Sequence, residues 1–136
     1  MARLRQVRVR YTRFAEAATE ALADPWLRLP SVARPEWRPP CDVLETESEW
    51  IVKAEVAGLG EDEFEVLLYE DGLVLEGRRP WGAPAAGADV RVHAAEIRHG
   101  PFQLALRLPD TIDRDGASVS YERGMLVVRL PKARHA

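Results

Sequence analysis

From residue 41 onward, apolar and polar positions alternate with a period of two along most of the chain. In residues 49–57 (EWIVKAEVA), Trp50, Val52, Ala54 and Val56 share one face and Lys53 and Glu55 the other, which predicts a strand resting one side on a core. Residues 63–69 bring Phe64, Val66 and Leu68 together, and residues 73–77 (LVLEG) follow the turn signal Glu70-Asp71-Gly72. Residues 102–108 align Phe102, Leu104, Leu106 and Leu108 ahead of Pro109, while residues 117–121 and 125–130 flank Arg123-Gly124. Short strands punctuated by Gly- and Pro-bearing turns, with no long helix between them, predict an all-β, immunoglobulin-like antiparallel β-sandwich. Gly58, Gly77, Gly100 and Gly124 fall at the predicted turns, where a positive φ costs glycine little.

The first forty residues follow another rule. Residues 12–24 (TRFAEAATEALAD) space Phe14, Ala17, Ala18, Ala21 and Leu22 as a short helix does, with Thr12 as cap and Asp24-Pro25 as stop. So thin an apolar face needs something to dock on. Residues 25–40 hold five prolines together with Trp26 and Trp37 and predict an extended linker. The chain is thus expected to divide into an arm (1–40), a sandwich domain (41–132) and a short tail (133–136).

Charge sharpens this division. With 19 basic and 22 acidic residues in 136, the net charge of −3 excludes an electrostatic nucleic-acid binder, and the length suits one domain plus an arm. Arg3, Arg5, Arg8, Arg10 and Arg13 lie in an acid-free stretch, whereas residues 41–72 hold eleven acids against the single base Lys53. Such a basic arm is expected either to lie on an acidic body, its own or a neighbour's, or to remain a solvated end. No apolar run reaches membrane-spanning length and no signal-peptide core precedes the arm, so a cytoplasmic chain without membrane attachment is expected. Asparagine is absent and 17 of the 19 basic residues are arginine, which fits a hot-growing source and a GC-rich genome equally.

Candidate chemistry is sparse. Gly82 to Asp89 carries a G-x-x-x-x-G spacing, but Ala88 stands where a phosphate-binding loop needs lysine. His93, His99 and His135 lack the close spacing of metal ligands, and Cys41, the one cysteine, can make neither an internal disulfide nor a thiolate zinc site. Glu63 and Glu65 alternate with Phe64 and Val66 and read as the wet face of a strand. No catalytic, cofactor-binding or metal residues are therefore assigned, and a binding or assembly module is expected rather than an enzyme.

Six pieces of the chain stand in a familiar order: Cys41-Asp42-Val43-Leu44-Glu45-Thr46; Ile51 to Leu59; Glu61 to Val66; Leu73 to Arg79; Glu96-Ile97-Arg98-His99-Gly100-Pro101-Phe102 with Leu108-Pro109; and Gly124 to Lys132. Together, from about Pro40 to Lys132, they resemble the α-crystallin domain of the small heat-shock proteins of bacterial type. The resemblance implies an ATP-independent holdase chaperone of the stress response, which binds unfolding client proteins and forms homodimers and larger oligomers. It also implies that dimers exchange the strand lying in the long loop, here Val90, Arg91, Val92, His93 and Glu96; pairing of that stretch within its own subunit is the alternative. A groove that receives a neighbour's I-x-I tail in the family is expected near Val66, Leu68, Val119 and Tyr121.

Three departures qualify the resemblance. Leu104 replaces the usual arginine of the G-x-F-x-R-x-F-x-L-P run, Ala57-Gly58 replaces P-G, and Ala133-Arg134-His135-Ala136 carries no I-x-I. Either a stand-alone dimer or another plug is then expected, and Val7-Arg8-Val9 has the same apolar-x-apolar spacing. Client contact is assigned to Phe14, Leu22, Trp26, Leu27, Leu29 and Trp37, apolar side chains on a weakly anchored segment; packing of Trp26 and Trp37 on the sandwich is the competing expectation. An adaptor resembling the CS-domain co-chaperones, and a structural part of a larger assembly, are the alternatives to a holdase.

Overall fold

The computed structural model of the chain describes residues 7–9, 36–82 and 89–133. Eight strands follow one another: β1 (Val7–Val9), β2 (Cys41–Glu45), β3 (Glu49–Glu55), β4 (Phe64–Tyr69), β5 (Gly72–Arg79), β6 (Gly100–Arg107), β7 (Ser118–Glu122) and β8 (Met125–Pro131). They form two four-stranded sheets ordered β1-β4-β5-β6 and β2-β3-β8-β7. Every pairing is antiparallel except that of β1 with β4. The predicted helix over 12–24 lies outside the described residues, as do the linker up to residue 35 and the tail after residue 133.

The alternation seen in the sequence becomes the core. Val52, Ala54 and Val56 from the second sheet meet Val66, Leu68, Leu73, Leu75, Phe102 and Leu104 from the first, all at 2 % exposure or less. Burying such a side chain is worth about 1.5–3 kcal/mol each, so the inner faces supply the main drive to fold. Leu104 sits at full burial between Phe102 and Leu108, where an arginine would need a buried counter-charge.

Turns fix the registers. Arg123 and Gly124 take φ of 53° and 79°, the pair of left-handed residues that a two-residue hairpin needs to match strand twist, and they join β7 to β8. Gly77 departs from the expectation of a turn. It lies inside β5, paired with Phe64 and Phe102, and a Cβ there would stand 2.3 Å from the Glu63 carbonyl oxygen and 2.7 Å from the Phe102 ring. Space rather than backbone freedom requires glycine at this position. A short 3-10 turn at Glu61–Glu63, closed by the Gly60 amide donating to Glu63 Oε1 at 2.9 Å, moves the start of β4 to Phe64.

Candidate functional site

Trp37, expected to meet clients, is built into the sandwich. It is 8 % exposed, bridges to Phe102 in the parallel sense, and packs against that ring in a tilted arrangement at 5.1 Å between centroids. Its indole N–H donates to the Gly100 carbonyl at 3.1 Å, which satisfies the polar edge of an otherwise apolar burial. The Arg79 guanidinium lies 4.3 Å above the indole and also donates to the carbonyls of Arg98 (2.8 Å) and Ala57 (3.4 Å). One arginine thereby ties together the end of the linker, the end of β3 and the root of the segment that precedes β6. Phe14, Leu22, Trp26, Leu27 and Leu29 lie outside the described residues.

That segment, residues 89–98, belongs to neither sheet. Arg91, His93 and Glu96 are exposed, and so are Val90 (46 %), Val92 (61 %) and Ile97 (70 %). Three exposed apolar side chains within eight residues make this the most apolar exposed stretch between β5 and β6 among the described residues. Across the sandwich edge, β2 pairs on one side with β3, and among the described residues no strand pairs with its other side. Val43 and Leu44 on β2 are 39 % and 50 % exposed. Sequence reading missed Val43, Leu44 and Ile97 as surface apolar residues, although the adjacent Val43-Leu44 pair breaks the alternation of β2 and so must leave one of the two on the outer face.

Of the four residues expected at the groove, three belong to the buried core of the sandwich and the fourth packs against it. Val66 and Leu68 of β4 are at 0 % and 2 % exposure, Val119 of β7 is at 7 %, and Tyr121 packs against the same cluster. Tyr121 lies 5.4 Å from the Phe64 ring; its hydroxyl donates to the Val56 carbonyl at 2.7 Å and accepts from the Leu59 amide at 3.3 Å. Beside them β1 runs parallel to β4, with Val7 opposite Val66, Arg8 opposite Leu67 and Val9 opposite Leu68. The apolar-x-apolar segment noted in the arm therefore borders the strand expected to receive it.

A second apolar cluster lies on the far side of the same sheet: Leu67, Tyr69 and Val74, at 4 %, 1 % and 3 % exposure. The sequence carried a signal for it, because residues 66–69 (VLLY) run apolar without a break, and unbroken apolar runs belong to strands buried on both faces. Among the described residues no group of three or more His, Cys, Asp or Glu is arranged to hold a metal ion, and no helix is long and apolar enough to cross a membrane.

Comparison with known proteins agrees with this architecture. The sequence profile of the Hsp20/alpha crystallin family matches residues 42–136. Spore protein SP21 of Stigmatella aurantiaca is 32 % identical over 98 residues, covering 72 % of this chain and 57 % of that protein. The 18 kDa heat shock protein of Streptomyces albus G is 29 % identical over 98 residues, covering 71 % and 66 % respectively. The chain thus spans less than two thirds of the length of either relative. Among solved structures, hspA from Xanthomonas axonopodis superposes with a TM-score of 0.63 at 28 % identity, over 74 % of this chain and 99 % of that one. Heat shock protein 16.0 from Schizosaccharomyces pombe gives a TM-score of 0.66 at 25 % identity, over 74 % and 92 %.

Proposed function

The chain belongs to the Hsp20/alpha crystallin family of small heat-shock chaperones, and from that premise we propose that it is an ATP-independent holdase. It works in the cytoplasm as a strand-exchanged homodimer that captures unfolding proteins before they aggregate. The observation that carries the dimer is the segment 89–98, outside both sheets and exposing Val90, Val92 and Ile97, in a body whose β2 edge pairs with no second strand among the described residues. Val90, Arg91, Val92, His93 and Glu96 add to β2 of the partner, and the exchange is reciprocal. Backbone hydrogen bonds supply adhesion, and the valines cover apolar surface that each subunit leaves in water.

Holding a client requires no bond chemistry, only apolar surface that competes with client self-association. Phe14, Leu22, Trp26, Leu27 and Leu29 of the arm are assigned that role. Val66, Leu68, Val119 and Tyr121 form the strand-receiving side of the body.

Light scattering with a heat-labile client tests both parts. A particle near twice 15.3 kDa that suppresses client scattering without ATP is the expected result. A monomer that leaves scattering unchanged would overturn the reading and favour an adaptor.

A further inference from the structure

Where residues 89–98 give way to β6, the chain is held on both flanks. Gly100 opens β6 at a φ of 90° and pairs with Arg79, the last residue of β5. On the other side run residues 36 and 37: the Glu36 amide donates to the Pro101 carbonyl at 2.8 Å, and the Gln103 amide to the Trp37 carbonyl at 3.2 Å. The Trp37 indole N–H fastens the same strip to the Gly100 carbonyl, and the Arg79 guanidinium lies over the indole. The left-handed turn at this junction suits glycine, and a Cβ there would also stand 2.6 Å from Glu36 Oε2.

Arg79 joins this junction to both sheets. From β5 its Nε donates to the Arg98 carbonyl at 2.8 Å, and its Nη1 donates to the Ala57 carbonyl, just past β3, at 3.4 Å. A guanidinium can do both while lying on an aromatic ring, because its donors are fixed in one plane; an ammonium is a compact point charge and cannot span the two. Arg98 is thus pinned two residues before Gly100, while Val90, Val92 and Ile97 upstream stay in water. Arg79 also lines a cavity of about 660 Å³ together with Pro40, Glu55, Glu96 and Ile97. Pro40 immediately precedes β2, and its carbonyl accepts from the Glu55 amide at 3.0 Å. The point where the subunit's own segment leaves, and the start of the strand that takes a partner's segment in the proposed dimer, therefore share one cavity.

We infer that Arg79 is the positioning residue of strand exchange: it fixes the direction in which residues 89–97 leave the subunit and sets that departure beside the β2 seat. The inference rests on the strand-exchanged dimer proposed above and adds the side chain that presets its geometry. A segment with a fixed root loses less freedom when it pairs, so a residue outside the pairing strands tightens the dimer without touching the partner.

Sedimentation of the full-length chain, R79M and R79K across a dilution series tests the assignment. R79M should weaken the dimer roughly tenfold to a hundredfold, since each dimer contains the junction twice. R79K keeps a charge near the indole but loses the fork, and should recover less than half of that loss on a logarithmic scale. Melting midpoints, read in the V90S/V92S background so that dissociation does not enter, should fall by no more than about 4 °C in either variant. Dimers as tight as the unmodified chain's in both variants would overturn the inference and leave the exchanged dimer standing. Full recovery by R79K would overturn the clamp by reducing Arg79 to a charge. A fall in midpoint well beyond that limit would also overturn it, by making Arg79 a tie of the whole fold. An unmodified chain that stays monomeric at every concentration would instead overturn the dimer itself, and this reading with it.

Discussion

Gly77 and Phe102 make a lock in which one residue's missing side chain is the other's seat. A methyl group at Gly77 would have to displace the Glu63 carbonyl oxygen at 2.3 Å, the Phe64 Cα at 2.9 Å and the ring at 2.7 Å, and two of these are rigid backbone. G77A should therefore lower stability by about 1–3 kcal/mol, the usual cost of overpacking, and a lowered midpoint in denaturant with an unchanged slope would show it. Alternation exposed Phe102 as a core residue, but nothing local in LVLEG told a mid-strand glycine from a turn glycine. The distinction depends on a ring contributed by a strand 25 positions later. Trp37 was left between client contact and packing on the sandwich for a similar reason: a proline-rich neighbourhood reads as unanchored, while its partners Gly100, Phe102 and Arg79 are distant in sequence. Lys132 shows a milder coupling. A hydrogen bond to Glu45 at 2.6 Å, opposed in part by desolvation, raises its pKa above 10.5. Because the charged form is favoured in the folded chain, its contribution is complete below the unfolded value and is lost as pH rises through the higher folded one. The difference in melting midpoint between the chain and K132M should then be constant from pH 6 to 9, and should shrink above about pH 10.5.

At the scale of the element, the proposed dimer sets residues 89–98 of one subunit against β2 of its partner. V90S/V92S should weaken dimerisation by at least about a hundredfold, since four valines per dimer lose burial worth about 1 kcal/mol or more apiece, while leaving the melting midpoint of the isolated subunit nearly unchanged. Sedimentation across a dilution series measures this directly, and an unaltered dimer would remove these valines from the interface. The strands themselves were legible because each buries one face, and period-two alternation together with Gly and Pro turns marks their number and most of their limits. β4 was only half legible. Its inner residues Phe64, Val66 and Leu68 obeyed the alternation, but Leu67 and Tyr69 are buried by surroundings that a one-faced strand does not anticipate.

For the whole molecule, the parallel pairing of β1 with β4 bears on the proposed assembly. Each subunit offers two places where a strand can be added, and they differ in symmetry. The contact proposed at β2 is mutual, so forming it once on each side would close a two-fold ring with nothing left over. A contact at β4 donated by a neighbour's β1 would be head-to-tail, and such a contact extends without limit unless rotation happens to close it. By spending its own β1 on its own β4, the subunit cancels the open-ended valence and keeps the self-closing one. In the proposed dimer, assembly would then stop at a finite size, and a variant that frees those three residues should turn a terminated particle into one with a growing end.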